Sequence, residues 1–186
     1  ELTKLWSLAY LYNGNKEYLQ TSINAYKELD ENNMLPIGVN SSSENLMGID
    51  AVASAETCDI SDFINSNIAL YRITGSRIYG DKIERALFNA GATAWSDDCK
   101  KHVYSQSPNR LTLSSDAKIK GHFEYKSVHD PLCCTGNICR MIPSFVLHSW
   151  MATYDNGIAA MLYCPSEVSV NVGNAVPVRV IETTQY

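Results

Sequence analysis

The chain has 186 residues, of which 45% are hydrophobic, with 15 Lys and Arg against 20 Asp and Glu and a formal net charge of −5. The basic residues are scattered, with no Lys/Arg run of the kind that binds nucleic acid or an anionic membrane. No apolar stretch approaches a membrane span, and no secretory signal opens the chain.

Apolar residues recur at helical spacing from Leu2 to Tyr12, through Leu5, Trp6, Ala9 and Tyr10, and Gly14 ends that helix. A second helix is predicted over Lys16–Leu29, with Asn15 as its cap and Tyr18, Leu19, Ile23 and Tyr26 facing inward. Pro36 follows its end, and the polar run Asn40 to Asn45 reads as a loop. A long helix is predicted from Ser54 to Arg72, a Thr74-Gly75-Ser76 turn, then a return helix over Arg77–Asn89. The two hairpins match each other: Tyr10 with Tyr71, Gly14 with Gly75, Tyr18 with Tyr79 and Ala25 with Ala86. A repeated helical hairpin predicts a solenoid or a closed ring of helix pairs. Two copies cannot bury a continuous core, so further repeats are expected upstream and exposed apolar surface is expected here.

Residues 93–130 read as irregular, with a polar stretch over Ser105–Ser115 and an extended segment over Lys118–Tyr125; so long a stretch inside a domain points either to function or to elements the pattern misassigns. Ile138–Met151 reads as a helix with Pro143 in its first turns. The pattern then changes to short β-branched runs, Ile158–Tyr163, Glu167–Val172 and Val176–Ile181, with a hairpin turn at Gly173-Asn174. The expected organisation is therefore a mainly α domain over 1–152 and the start of a β-rich domain over 153–186. Both ends read as cut, so the sequence is expected to be part of a larger protein.

The chemistry gathers at Cys133-Cys134-Thr135-Gly136-Asn137. Adjacent cysteines do not readily bond to each other but can present two sulfurs to one metal ion. Glu56-Thr57-Cys58 offers a carboxylate and a third thiol, and three sulfurs with one oxygen complete a tetrahedral Zn²⁺ shell. The bland alternative is that Glu56 caps a helix N-terminus and the cysteines pack. A metal-bound cysteine is also a candidate nucleophile, with Glu44 on the polar loop as the acid that protonates a leaving group. His129, four residues before Cys133, is a candidate substrate contact, and His122 is a weaker one. Trp6, Trp95, Trp150 and Tyr125 offer rings that stack on sugars, or simply core. Cys99, Cys139 and Cys164 show no partner pattern and read as buried free thiols. Asn40-Ser41-Ser42 fits a glycosylation sequon, a pattern short enough to recur by chance. Phosphate-loop, Gly-x-Ser-x-Gly and His-Glu-x-x-His motifs are absent.

Four segments together resemble glycoside hydrolase family 127 and its relatives, including family 146: 38–44 (GVNSSSE), 56–60 (ETCDI), 83–89 (IERALFN) and 133–140 (CCTGNICR). They stand in the family's order. The resemblance implies part of an (α/α)6 barrel built from helical hairpins, followed by the first strands of a β-sandwich. It implies Zn²⁺ held by Glu56, Cys58, Cys133 and Cys134, with Cys133 as nucleophile, Glu44 as general acid/base and His129 as a sugar contact. The implied activity is retaining removal of a terminal sugar, by default β-L-arabinofuranose, from plant-type glycans. One departure from some members is Pro131, where they carry a further cysteine. Two rivals remain: a non-catalytic, zinc-stabilised helical module that binds carbohydrate or protein, and a thiol redox protein pairing Cys133 with Cys58. The compartment stays open, since free thiols suit a cytoplasm and zinc-protected thiols survive a periplasm.

Overall fold

A computed structural model describes residues 3–50, 52–109 and 123–183. Its contacts divide the chain into two units, Glu1–Met141 and Ile142–Tyr186. The sequence pattern changes at 152/153; the contact division falls earlier, inside a helix.

The first unit is built from two helical hairpins. Helices α1 (Thr3–Asn13) and α2 (Lys16–Asn32) form one, α3 (Thr57–Thr74) and α4 (Arg77–Arg85) the other. The two turns repeat the same hydrogen bonds. Gly14 N–H donates to the Tyr10 carbonyl and Gly75 N–H to the Tyr71 carbonyl, both at 2.8 Å; Tyr18 N–H donates to Asn15 and Tyr79 N–H to Ser76, both at 3.1 Å. Both glycines are left-handed, with φ of 70° and 64°, a conformation that a Cβ disfavours. The residue-by-residue match of the two hairpins is thus a match of turn geometry.

Helix α3 is the centre of this unit. It packs against both α1 and α4, and Ile60, Phe63, Ile64, Ile68 and Leu70 are buried along it, together with the polar Thr57, Ser61, Asp62, Ser66 and Asn67. A helix buried on most of its faces needs neighbours on most sides. Helix α1 is the opposite case. Ser7 is its buried residue, and Leu5, Trp6, Leu8, Leu11 and Tyr12 are exposed. Leu5 and Trp6, which carry the helical period of this segment, thus belong to the exposed apolar surface expected of part of a helical ring.

The return helix α4 continues as a π-helical turn over Ala86–Gly91. The side chain of Gln106 donates to the Ala90 carbonyl there at 2.7 Å and accepts from Thr93. Gln106 belongs to a two-residue strand, β2 (Ser105–Gln106), which pairs antiparallel with β1 (Ala55–Glu56). The expected extended segment at Lys118–Tyr125 lies mostly outside the described residues, as does His122.

Helix α5 runs over Cys133–Leu147. It starts five residues earlier than predicted, so the cysteine pair forms its first turn. Pro143 is consequently interior, and its missing N–H leaves the carbonyl of Cys139 without the usual helical donor. Cys139 is exposed, where water can take that place. The helix also stops earlier, because Trp150–Ala152 is a strand (β3) paired with Ile158–Ala160 (β4). In the second unit β5 (Ser166–Val172) and β6 (Val176–Glu182) form an antiparallel hairpin whose pairs Val168/Val180, Val170/Val178 and Val172/Val176 share one face. Among the described residues no helix is long and apolar enough to cross a membrane.

The open space around Gly75, where an added Cβ meets nothing within 4 Å, isolates the backbone effect. Gly75→Ala is expected to lower stability by about 1 kcal/mol, and Gly75→Asn by less, read as a shift of the urea midpoint at unchanged slope. Equal midpoints for all three proteins would contradict the left-handed turn.

Candidate active site

Two helix N-termini converge on one cluster of thiols. Cys58 is the second residue of α3, and Cys133 and Cys134 are the first two of α5. The positive end of each helix dipole favours thiolate there. The three sulfurs lie within 4.8 Å of one another: Cys58 Sγ is 2.9 Å from Cys134 Sγ, and Cys133 Sγ is 4.0 Å from Cys134 Sγ. The closest pair is therefore Cys58 with Cys134, not the Cys58–Cys133 pair that the redox reading requires.

Without a cation these thiols cannot all ionise. The hydrogen bond from Cys134 lowers Cys58 to about 7, and the same bond, with burial, drives Cys134 far upward. Burial pushes Cys133 up as well, against a hydrogen bond with Tyr104 that lowers it. A dication suits this arrangement. Tetrahedral zinc at about 2.3 Å from each sulfur spaces sulfurs roughly 3.8 Å apart, close to the 4.0 Å between Cys133 and Cys134 and wider than the 2.9 Å between Cys58 and Cys134. The donor set thus fits zinc chemically.

Glu56 stands outside the tight group of sulfurs but lines the same cavity. It occupies the N-cap position of α3, where the helix dipole favours a carboxylate, and its side chain makes no capping hydrogen bond. It is buried, and its N–H donates to Ser42 Oγ at 3.2 Å.

The cavity measures about 540 Å³. Glu44, Asp59, Asp62, Asn40, Asn45 and Asn137 give it polar walls, and Tyr26 and Phe63 give it aromatic ones. This mix of apolar surface and several placed polar groups suits a small ligand with both a hydrocarbon face and hydroxyls. Burial raises Asp59 to about 6, against the hydrogen bond from Asn40 Nδ2 at 2.8 Å. That bond occupies a buried Asn40, so the sequon there is no surface acceptor. Asp62 accepts from Lys4 at 3.0 Å and from Arg140 at 2.5 Å, tying α1, α3 and α5 together beside the cavity.

Glu44 sits on the loop in a left-handed backbone conformation, φ 63°, which is uncommon for a residue with a side chain and recurs at functional sites. It is exposed. The residue that joins it to the thiols is Tyr104, which the sequence reading missed. The Tyr104 hydroxyl donates to Glu44 Oε1 at 3.2 Å and lies 3.3 Å from Cys133 Sγ. Burial, then the bond to Cys133, drives the phenol far above its ordinary value, so it keeps its proton.

His129 is buried and is not one of the cavity-lining residues. Its Nε2 is 2.8 Å from the His102 carbonyl, which makes that nitrogen the donor, and its ring packs edge-on against Tyr104 with centroids 5.8 Å apart. Among the described residues Trp6, Trp95, Trp150 and Tyr125 also stand outside the cavity wall. Cys99 and Cys139 are exposed and Cys164 is half-buried, so the three are free thiols but not buried ones.

The family described as β-L-arabinofuranosidase, GH127 catalytic domain, matches residues 6–146. The chain belongs to glycoside hydrolase family 127. No curated protein matches it by sequence. A family 127 β-arabinofuranosidase superposes with a TM-score of 0.82 and 19% identity, over 100% of this chain and 28% of that one. A family 127 β-L-arabinofuranosidase from Geobacillus stearothermophilus T6 gives 0.79 and 20%, over 99% and 30%. A further glycoside hydrolase gives 0.80 and 18%, over 100% and 34%. The chain thus spans about a third of the length of these structures. At such identities the likeness speaks for the fold: part of a helical barrel, then the start of a β domain.

In metal-free protein, alkylation mapped by mass spectrometry is expected to label Cys58 with a midpoint near pH 7 and to leave Cys134 unlabelled at neutral pH. Equal labelling of the two would contradict the shared-proton arrangement.

Proposed function

We propose that the chain is the part of a retaining β-L-arabinofuranosidase that carries its nucleophile, its acid/base and its zinc ligands, acting on terminal sugars of plant-type glycans. The observation that carries this reading is the Tyr104 hydroxyl. Its contacts of 3.2 Å to Glu44 and 3.3 Å to Cys133 cap the separation of carboxyl oxygen and sulfur at about 6.5 Å. Retaining glycosidases hold their two groups about 5–5.5 Å apart, whereas inverting ones leave room for a water.

Glu56, Cys58, Cys133 and Cys134 would hold the zinc, whose positive charge keeps thiolates ionised at neutral pH. In the reactive state Glu44 is protonated and Cys133 is a thiolate. Tyr104 then accepts from Glu44 and donates to Cys133, serving both. Cys133 Sγ attacks the anomeric carbon, the C–O bond to the leaving group breaks, and Glu44 gives its proton to the departing oxygen. Glu44, now a carboxylate, takes a proton from water as the water oxygen displaces Cys133 Sγ. Two inversions give net retention. Asn40, Asn45, Asn137 and Asp59 supply hydrogen bonds for sugar hydroxyls. The sugar contact expected of His129 would run through the ring of Tyr104, which it supports.

In the full-length protein, assayed on aryl β-L-arabinofuranosides, Cys133→Ala should abolish turnover while the fold persists. Glu44→Gln should slow poor leaving groups by about 10²–10⁴-fold and nitrophenyl substrates much less, because those need no acid. Undiminished turnover by Cys133→Ala would overturn the mechanism.

A further inference from the structure

The two half-sites come from segments far apart in sequence, and one short segment touches both. Thr57 precedes Cys58, and Thr135 follows Cys134. Thr57 N–H donates to the Tyr104 carbonyl at 2.8 Å, and its hydroxyl donates to the Val103 carbonyl at 2.7 Å. On the other side the Thr135 hydroxyl accepts from His129 N–H at 3.1 Å, leaving its own proton for His102 Nε2 at 3.2 Å. The loop closes through the metal ligands: Cys134 Sγ lies 3.6 Å from the Tyr104 carbonyl. His102, Val103, Tyr104, Thr57 and His129 are all buried. The His102 and His129 rings pack edge-on with centroids 4.9 Å apart, and His129 packs on Tyr104 in turn.

We propose that the segment His102–Tyr104 is a clamp that sets the spacing between the Cys58 half-site and the Cys133–Cys134 half-site, with the hydroxyls of Thr57 and Thr135 as its positioning groups. Each hydroxyl sits one residue from a sulfur ligand, and each bonds one member of the same three-residue segment, Thr57 the Val103 carbonyl and Thr135 the His102 ring. The clamp also carries the Tyr104 hydroxyl, so one element sets the sulfurs against each other and sets the acid/base against the nucleophile. This inference rests on the zinc reading above.

Valine matches threonine in shape and lacks only the hydroxyl. Zinc dissociation constants, measured by competition with a chromophoric chelator, are expected to rise about tenfold or more for Thr57→Val and for Thr135→Val, the scale seen when outer partners of metal ligands are lost. Thr57→Ser and Thr135→Ser should restore wild-type affinity. A purely structural hydroxyl would lower the unfolding midpoint of metal-free protein and leave the zinc constant unchanged; that result overturns the proposal. If Thr135→Val does not fold, His102→Phe, which keeps a ring in the stack and loses the bond to Thr135, carries the same expectation. A wild type that binds no zinc overturns the metal reading and this inference together. A wild type that binds zinc no better than both valine variants overturns this inference alone.

Discussion

Three thiols held within 4.8 Å of one another set the terms for the rest of the site. Each thiolate formed raises the cost of the next, because like charges in a partly buried place repel. The fold concentrates positive potential there with the N-termini of α3 and α5, which offsets part of that repulsion. The thiols still titrate apart, with Cys58 drawn down and Cys134 driven up. A bound dication would remove the conflict; among the described residues that line the cavity there is no Lys or Arg. The nearby cations, Lys4 and Arg140, are engaged by Asp62.

The two helices that carry the sulfurs are tied directly to each other. A metal shell drawn from two helices tolerates little relative movement of those helices. Helix α3 is buried along most of its length, Ser61 donates to the Asn137 carbonyl on α5 at 3.0 Å, and Arg140 of α5 pairs with Asp62 of α3. The loop bearing Glu44 is linked to the sulfurs through Tyr104, whose hydroxyl bonds Glu44 and lies beside Cys133.

Much of this was legible in the chain. Gly14 and Gly75 announce their turns because a left-handed residue at a helix end favours glycine, and the hairpin repeat follows from them. Cys133-Cys134 and Glu56-x-Cys58 stand out because paired thiols and a nearby carboxylate are rare combinations. Tyr104 was not legible. Its role depends on β1 and β2, two residues each, which are too short to leave a periodic signal, and it lies in a stretch that reads as irregular. The start of α5 was misplaced because Thr135, Gly136 and Asn137 are poor helix formers; tertiary contacts hold that turn. Leu5 and Trp6 follow a helical period that says which side is apolar, not whether a neighbour covers it. Cys99, Cys139 and Cys164 escaped for a related reason, since a lone thiol carries no pattern that fixes its burial.

The central claim is that the sulfur cluster is a metal site, and zinc content tests it most directly. Elemental analysis of the purified protein and of Cys134→Ser should give about one zinc per chain in the first and none in the second. No zinc in the wild type, or the same amount in both, would contradict it.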